Sequence, residues 1–361
     1  MPPMALRVLA VTQSAELGGA ELALLRVGPL LAAEGIELEL AVPEEGPVAA
    51  AARERGLPLH LLPVGPLRTG GWRLAVRSWP RARTLARSRR PDVVWLNGIV
   101  PQRLVPALGS APALLQLHDV PANEPRAWRS AGFWRRVPVV VCGSRLAADA
   151  AAAAGAPQER LRVVPVPVEA VDPAPRPDWA DGRPVVGFVG RFEPVKGVLV
   201  LLEAASRLLE RRPDLHFVLV SGPAVAAEPR YEQRVREEAA KLGEAVSLVE
   251  AVPDARVLMR WFDVLCAPSL SESFGAVAAE ALAAGTPAVV TEASGIAEQI
   301  RPGGTGDVVP PGDPERLAAA LERTLDGAAE MADAARASVG PFETGRVARE
   351  LARLLREAAG K

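Results

Sequence analysis

Cysteine is almost missing from this chain of 361 residues: only Cys142 and Cys266 occur, far apart. That excludes a disulfide framework and a thiolate metal cluster. Histidine is nearly as scarce, and His60, His118 and His216 share no ligand-like spacing. Net charge is missing too. The 42 basic and 43 acidic residues cancel to −1, which leaves no bulk positive charge to hold nucleic acid. No apolar run reaches the roughly 20 residues needed to cross a bilayer. The N-terminus, MPPMALRVLAVTQ, lacks the basic-then-apolar layout of an export signal and runs into a strand-like segment, so a cytoplasmic protein is expected. Lysine occurs only at Lys196, Lys241 and Lys361; the other basic residues are arginines.

What is present is ordinary in amount and regular in order. Hydrophobic residues make up 49% and charged residues 24%, the balance of a folded globular chain. At roughly 100–200 residues per domain the length suits two domains. Continuous Val/Leu-rich runs at 6–12, 36–42, 59–64, 92–97, 113–118, 137–142 and 161–166 alternate with helix-patterned segments such as 20–33 and 145–154. Continuous apolar runs suit parallel strands covered on both faces. The rhythm restarts at 184–190, 215–221, 246–250, 264–268, 287–291 and 307–309. Two series of β–α units predict an α/β protein with two doubly wound sheets.

The break between the series lies at Asp172-Pro-Ala-Pro-Arg-Pro-Asp178, three prolines in seven residues. Proline fixes φ and removes a donor, so an extended linker over 171–183 is predicted between domains 1–170 and 184–340. Residues 1–172 carry 20 basic and 15 acidic groups, net +5; the remainder carries 22 and 28, net −6. Within the last segment, 341–361, an amphipathic helix shows Val347, Leu351, Leu354 and Leu355 on its apolar side. It packs either on the second domain or back on the first. Ligands of doubly wound sheets bind beyond the carboxyl ends of the strands, so two facing sheets place the site in the cleft between domains.

Candidate chemistry sits at such strand ends. Pro268-Ser-Leu-Ser-Glu272-Ser273-Phe274-Gly275 leads into an alanine-rich helix that carries Glu280 and stops at Gly285. Small residues let a ligand reach the backbone, and a helix N-terminus offers unpaired N–H groups with partial positive charge. Eight positions separate Glu272 from Glu280, about 12 Å of helical rise. That is too far for the paired carboxylates of glycoside hydrolysis, and it suits two hydroxyl clusters on one long ligand. The plainer alternative is a helix cap at Glu272 and a solvated charge at Glu280. Gly190-Arg191-Phe-Glu-Pro-Val-Lys196-Gly197 brings two cations to another strand end, either as a diphosphate clamp or as surface charges. Leu17-Gly18-Gly19-Ala20-Glu21 opens a helix after the first strand. It is not G-x-G-x-x-G, so the dehydrogenase fingerprint is absent. His118 ends the strand at 113–118, facing the cleft or serving the fold.

In this order the elements resemble the retaining glycosyltransferases of the GT-B fold, family 4. The resemblance rests on Gly18-Gly19-Ala-Glu21, His118, Ser144, Gly190-Arg191…Lys196-Gly197 and above all the E-x7-E pair Glu272…Glu280. It continues through Gly285-Thr-Pro287, Ser294-Gly295-Ile-Ala-Glu298 and Gly306-Asp-Val-Val-Pro-Pro-Gly-Asp313, nearly the whole chain. It implies two Rossmann-like domains facing each other across a cleft, the first binding an acceptor and the second a nucleotide-sugar donor. By the resemblance, Glu272 contacts donor-sugar hydroxyls beside Ser273, Phe274 and Gly275, and Glu280 holds the ribose. Arg191 and Lys196 match the diphosphate-binding pair, Gly18 and Gly19 the loop that approaches the phosphate, and His118 a histidine near the transferred sugar. The implied catalytic set is Arg191, Lys196, Glu272 and His118, and the last helix would cross back to the first domain. Three departures stand out: Pro165-Val-Pro-Val-Glu169 replaces the usual Asn-Gly-Val-Asp, Ser294-Gly295 a Gly-Gly pair, and Glu250 a glycine near the base.

The implied reaction moves a sugar to an acceptor hydroxyl on a cell-envelope glycan, glycolipid or secondary metabolite. No D-x-D occurs and two cations already answer the diphosphate, so no metal or further cofactor is expected. Between Arg55 and Pro91 there are many arginines, no acidic residue, and Trp72, Val76 and Trp79 on one helix face. Segment 68–90 is either a basic surface resting on anionic lipid at the inner face of the membrane, or holding an anionic acceptor, or an ordinary helix with a solvated arginine face. The same choice applies to 126–136, with Trp128, Phe133 and Trp134. Two other functions remain open. A nucleotide-sugar epimerase or hydrolase needs an acid–base pair of which only His118 is in view. A non-catalytic nucleotide-sugar binder has no need of Arg191, Lys196, Glu272 and Glu280 together.

Overall fold

Two parallel sheets, each in its own compact unit, organise the computed structural model, which describes residues 5–64, 71–119, 125–169, 171–221, 229–250, 252 and 254–361. The first unit is Met1–Pro167 with Glu343–Lys361; the second is Val168–Phe342. The first sheet holds β1 (Leu6–Thr12), β2 (Ile36–Val42), β3 (Leu59–Leu61), β4 (Val93–Asn97), β5 (Ala113–Leu117), β6 (Val139–Cys142) and β7 (Leu161–Val163), in the order β3-β2-β1-β4-β5-β6-β7. The second holds β8 (Val185–Gly190), β9 (His216–Ser221), β10 (Val246–Val249), β11 (Val264–Ala267), β12 (Ala288–Thr291) and β13 (Gly306–Val309), in the order β10-β9-β8-β11-β12-β13. Every pairing is parallel. β3 and β7 stop short of the apolar runs that predict them. Pro63 and Pro165 follow closely, and a proline cannot donate to a ladder.

The continuous apolar strands are buried on both faces. In β1, Val8 and Ala10 join one core while Leu9 and Val11 join the other; in β4, Val93 and Trp95 divide likewise from Val94 and Leu96. The first core is completed by the helix Thr344–Ala359. Its Val347, Ala348, Leu351, Ala352, Leu354, Leu355 and Ala358 are buried there at i, i+4, i+7 spacing. Burying each such leucine stabilises by roughly 1.5–3 kcal/mol. Arg162 pairs with Glu357 at 2.6 Å and Lys361 with Asp92 at 3.0 Å, which fixes the helix end to the same unit.

Residues 171–183, expected as a linker, belong to the second unit and pack on it. Ala174 N donates to Val257 O at 2.9 Å, Trp261 Nε1 donates to Ala174 O at 3.0 Å, and Trp179 stacks on Phe262 with centroids 5.6 Å apart. The basic helix Gly71–Arg89 buries Ser78, Ala82 and Ala86 against the first unit and exposes Arg77, Arg81, Arg83, Arg87 and Arg89. Residues 68–70 and the side chains of 71–75, Trp72 among them, lie outside the described residues. Trp128, Phe133 and Trp134 are core residues rather than a surface, packed ring on ring at 5.5 and 5.0 Å. Among the described residues no helix is long and apolar enough to cross a membrane.

Candidate active site

In each sheet the strand order reverses once, between β1 and β4 and between β8 and β11. Loops diverge at such points and leave a crevice beyond the carboxyl ends of the strands. In the second unit that crevice gathers the candidates. The loop after β8 carries Arg191 and Lys196; the loop after β11 carries Glu272, Ser273, Phe274 and Gly275. Lys196 Nζ donates directly to Glu272 Oε2, and Leu270 N donates to Val195 O at 2.8 Å. Arg191 is held by Glu193 at 2.9 Å. Each expected cation therefore has a carboxylate partner within the same loop system, and a bound diphosphate would have to compete for both.

Close backbone approach explains the glycines here. Gly197 has φ +69°, and a Cβ there would stand 2.0 Å from Pro268 O. Gly275 caps the helix Ala276–Ala284 at φ +101°, and a Cβ there would stand 2.7 Å from Ile296 Cγ2. The loop after β12 completes the crevice: Glu272 N donates to Ala293 O at 2.9 Å, Gly295 N to Glu272 O at 3.0 Å, and Ser294 Oγ to Phe274 O at 3.3 Å. Glu272 thus sits in a short parallel bridge with Ser294 rather than capping the helix by itself. The Phe274 ring is buried edge-on to Phe342, centroids 5.4 Å apart, so its side chain packs rather than presents. Glu280 projects from the same helix into the field of Arg256, whose guanidinium pairs with Asp254 at 2.7 Å and lies 3.7 Å from Glu169. These carboxylates, Asp254 first through its hydrogen bond, raise the Arg256 pKa.

The first unit collects the remaining candidates at its own reversal point. Gly18 is the N-cap of the helix Gly19–Val27 and carries no side-chain cap. Asn97, at the end of β4, donates through Nδ2 to Ala20 O at 3.2 Å, which turns its Oδ1 toward His118 Nε2 at 2.7 Å. His118 therefore carries its proton on Nε2. Burial pushes its pKa down to about 4, so the half-buried ring is neutral at ordinary pH. Glu21, in the first turn of the helix, is 3% exposed, and burial pushes its pKa up to about 7. Ser144 caps the helix Arg145–Ala153 by accepting from Ala147 N at 3.1 Å. The other histidines serve the fold: His216 meets Ser247 Oγ at 2.8 Å, and His60 meets Glu39 at 2.6 Å. Both cysteines are buried, with thiol pKa values pushed up, Cys142 to about 12. Among the described residues no three His, Cys, Asp or Glu side chains are arranged to hold a metal ion.

Residues 17–171 match the family model described as Glycosyltransferase Family 4, and residues 183–327 the one described as Glycosyl transferases group 1. The chain belongs to the family 4 glycosyltransferases. Among curated relatives, the chain is 40% identical over 136 residues to the D-inositol 3-phosphate glycosyltransferase of Nocardia farcinica, covering 36% of this chain and 30% of that one. It is 38% identical over 142 residues to the phosphatidyl-myo-inositol mannosyltransferase of Mycobacterium leprae, covering 38% and 36%. The matched stretches thus span about a third of these relatives' lengths. Among solved structures, Anabaena HepE in complex with UDP superposes with a TM-score of 0.81 at 22% identity, over 98% of this chain and 100% of that one. Sucrose-phosphate synthase of Thermosynechococcus elongatus gives 0.79 at 20% identity, over 97% and 98%. At such identities the likeness is one of fold, the GT-B arrangement of two Rossmann-like domains.

Three groups of the site escape a reading of the sequence. Asn97 reads as the last residue of a strand, Glu193 as loop polarity, and Arg256 as one of many arginines. Only Asn97 leaves a faint signal, as a polar residue closing an otherwise apolar strand.

Proposed function

We propose that the chain is a retaining, metal-independent glycosyltransferase that moves a sugar from a nucleoside-diphosphate sugar to an acceptor hydroxyl. The observation that supports this most is the Lys196–Glu272 pair at the reversal point of the second sheet. In a nucleotide sugar the transferred ring follows the second phosphate directly. A cation for that phosphate and a carboxylate for the ring hydroxyls must therefore be neighbours, as these two are. In this reading Glu280, on the helix beyond Gly275, holds the ribose, and Arg191 the diphosphate.

Breaking the sugar–phosphate bond builds positive charge on the ring and negative charge on the departing diphosphate. Lys196, Arg191 and the N–H groups of the helix starting at Ala276 supply positive potential where the negative charge develops. As Lys196 and Arg191 turn to the diphosphate, Glu272 turns to the sugar. The anomeric carbon–oxygen bond to the diphosphate breaks, the acceptor oxygen bonds to that carbon on the same face, and the acceptor's hydroxyl proton passes to the departing phosphate oxygen. Neutral His118 serves as a hydrogen-bonding group near the sugar, not as a charged acid. The names of the curated relatives make inositol phosphates and phosphatidylinositol the first acceptors to offer.

The test is a matrix of UDP-, GDP-, ADP- and dTDP-sugars against these acceptors, with and without EDTA. Binding is first screened by thermal stabilisation, since a ligand of the native state raises stability by mass action. The expected product keeps the donor's anomeric configuration, and EDTA leaves the rate unchanged. An inverted product, or indifference to every activated sugar, overturns the reading. An epimerised sugar formed without acceptor replaces it with the epimerase alternative.

A further inference from the structure

We propose that Glu21 is a proton-coupled positioning residue beneath the glycine loop, taking up a proton when a diphosphate settles on Gly18-Gly19. This rests on the reading of that loop as the donor-phosphate loop. The local geometry is half of a capping box. Gly18 is the N-cap of the helix Gly19–Val27, and Glu21 occupies the third helical position, from which its carboxyl folds back under the loop. A Cβ on Gly18 would stand 3.1 Å from Glu21 Oε2, and the backbone N–H groups of Glu21, Gly18 and Ser14 favour the ionised carboxyl. The N-cap glycine cannot return the bond from a side chain.

The other carboxyl oxygen is stranded. Oε1 is buried and has no hydrogen-bond partner among the described residues. A buried carboxylate with one unsatisfied oxygen is expensive, whereas its N–H donors favour the charge, so the two protonation states lie close in free energy. Their balance near pH 7 agrees with this. The elements packed on this helix include β4 and the helices Pro47–Glu54 and Thr344–Ala359, yet the charged group within electrostatic reach is Asp119, beside His118. Its negative charge also disfavours ionisation.

A diphosphate resting on the same loop, half-buried at Gly18 and exposed at Gly19, adds further negative charge directly above the buried carboxyl and seeks backbone N–H groups of that loop. Two anions cannot share those donors without cost, so binding drives the carboxyl to its neutral form. By reciprocity the affinity for the donor falls as pH rises through the titration of Glu21.

Calorimetric titration of the full chain with UDP-glucose, whose phosphates keep constant charge over this range, decides the matter; GDP-mannose and ADP-glucose are offered if UDP-glucose does not bind. At pH 8, in two buffers of different ionisation enthalpy, binding is expected to take up most of one proton, and at pH 6 almost none. The dissociation constant is expected to be roughly five- to tenfold larger at pH 8 than at pH 6, the lower end of coupling between two sites. Glu21→Gln should bind equally at both pH values with no uptake, and wild-type uptake alone decides should that variant misfold. Binding without proton uptake, or uptake that survives Glu21→Gln, overturns the proposal and leaves the donor reading intact. Failure of all nucleotide sugars to bind overturns the donor reading, and this proposal falls with it.

Discussion

Lys196 and Glu272, 76 residues apart in the chain, form one ion pair between the loops that follow β8 and β11. Both side chains are about a quarter exposed, so the pair adds little to stability. In the proposed reaction its value is chemical. Lys196→Ala is expected to lower kcat by about 10²–10³-fold, the usual loss for a preorganised charge-stabilising donor, with a small change in Tm. Steady-state kinetics beside a thermal melt checks this; an unchanged kcat removes Lys196 from leaving-group stabilisation.

Gly197 and Gly19 should respond oppositely to an added methyl. At Gly197 the left-handed φ and the 2.0 Å approach to Pro268 O force the two loops apart. Gly197→Ala should cost about 1–3 kcal/mol of stability and most activity together. At Gly19 a Cβ meets nothing within 4 Å. Gly19→Ala should therefore fold with an unchanged melt, and a raised donor KM would report a ligand phosphate passing close to that backbone. An unchanged KM would place the phosphate elsewhere.

His118 is held neutral by burial, its pKa near 4 against an ordinary 6.5. The unfolded chain binds the proton first, so this group's share of stability is present above about pH 6.5 and lost as pH falls toward 4. Replacing its hydrogen-bond partner, Asn97→Asp, puts a carboxylate 2.7 Å from the ring and should raise the imidazole pKa by at least about one unit. The ring carbon shift in an NMR titration reads this directly; a midpoint that stays put would mean the Asn97 contact does not persist in solution.

Glu21 carries the reverse sign. Its pKa is raised from 4.5 to about 7, so the native state holds the proton longer than the unfolded chain. Stability falls as pH rises from about 4.5 to 7, by about 3 kcal/mol in all. Glu21→Gln should therefore raise Tm at pH 8 more than at pH 5, as melts at the two pH values would show. An equal change at both would locate the effect in packing instead of charge.

Leu351 is buried in the first core on the helix Thr344–Ala359. Leu351→Ala should cost about 2–5 kcal/mol. Hydrogen exchange should show the loss of protection in β4 and β5, which this helix covers, and not in β8 to β13. Protection lost evenly from both sheets would contradict the assignment of the helix to the first unit.

Much of the fold is legible in the amino-acid order because parallel strands announce themselves. A strand buried on both faces must be apolar at every position, and such runs are short, continuous and bounded. The glycine, arginine–lysine and E-x7-E elements are legible for a related reason: each occupies consecutive or nearly consecutive positions at a strand end. Asn97, Glu193 and Arg256 are illegible because their partners are distant or commonplace. Asn97 matters only once β1, β4 and β5 bring Ala20 and His118 to either side of it. The tryptophans of 126–136 mislead in the other direction, since aromatic and basic residues in one short segment look alike whether the rings face out or in. Here they pack inward, and Trp128 Nε1 finds Gln102.

The sequence by itself determined the number of sheets, their parallel sense and the strand ends that carry the candidate residues, because those depend on local periodicity and on turns of a few residues. Only the tertiary structure decided that the final helix completes the first core, that the proline-rich segment lies on the second unit, and that Lys196 is matched by Glu272. The same folding left one oxygen of Glu21 buried without a hydrogen-bond partner among the described residues. These are encounters between residues far apart in sequence, and their energies depend on distance and dielectric, which composition and spacing do not encode.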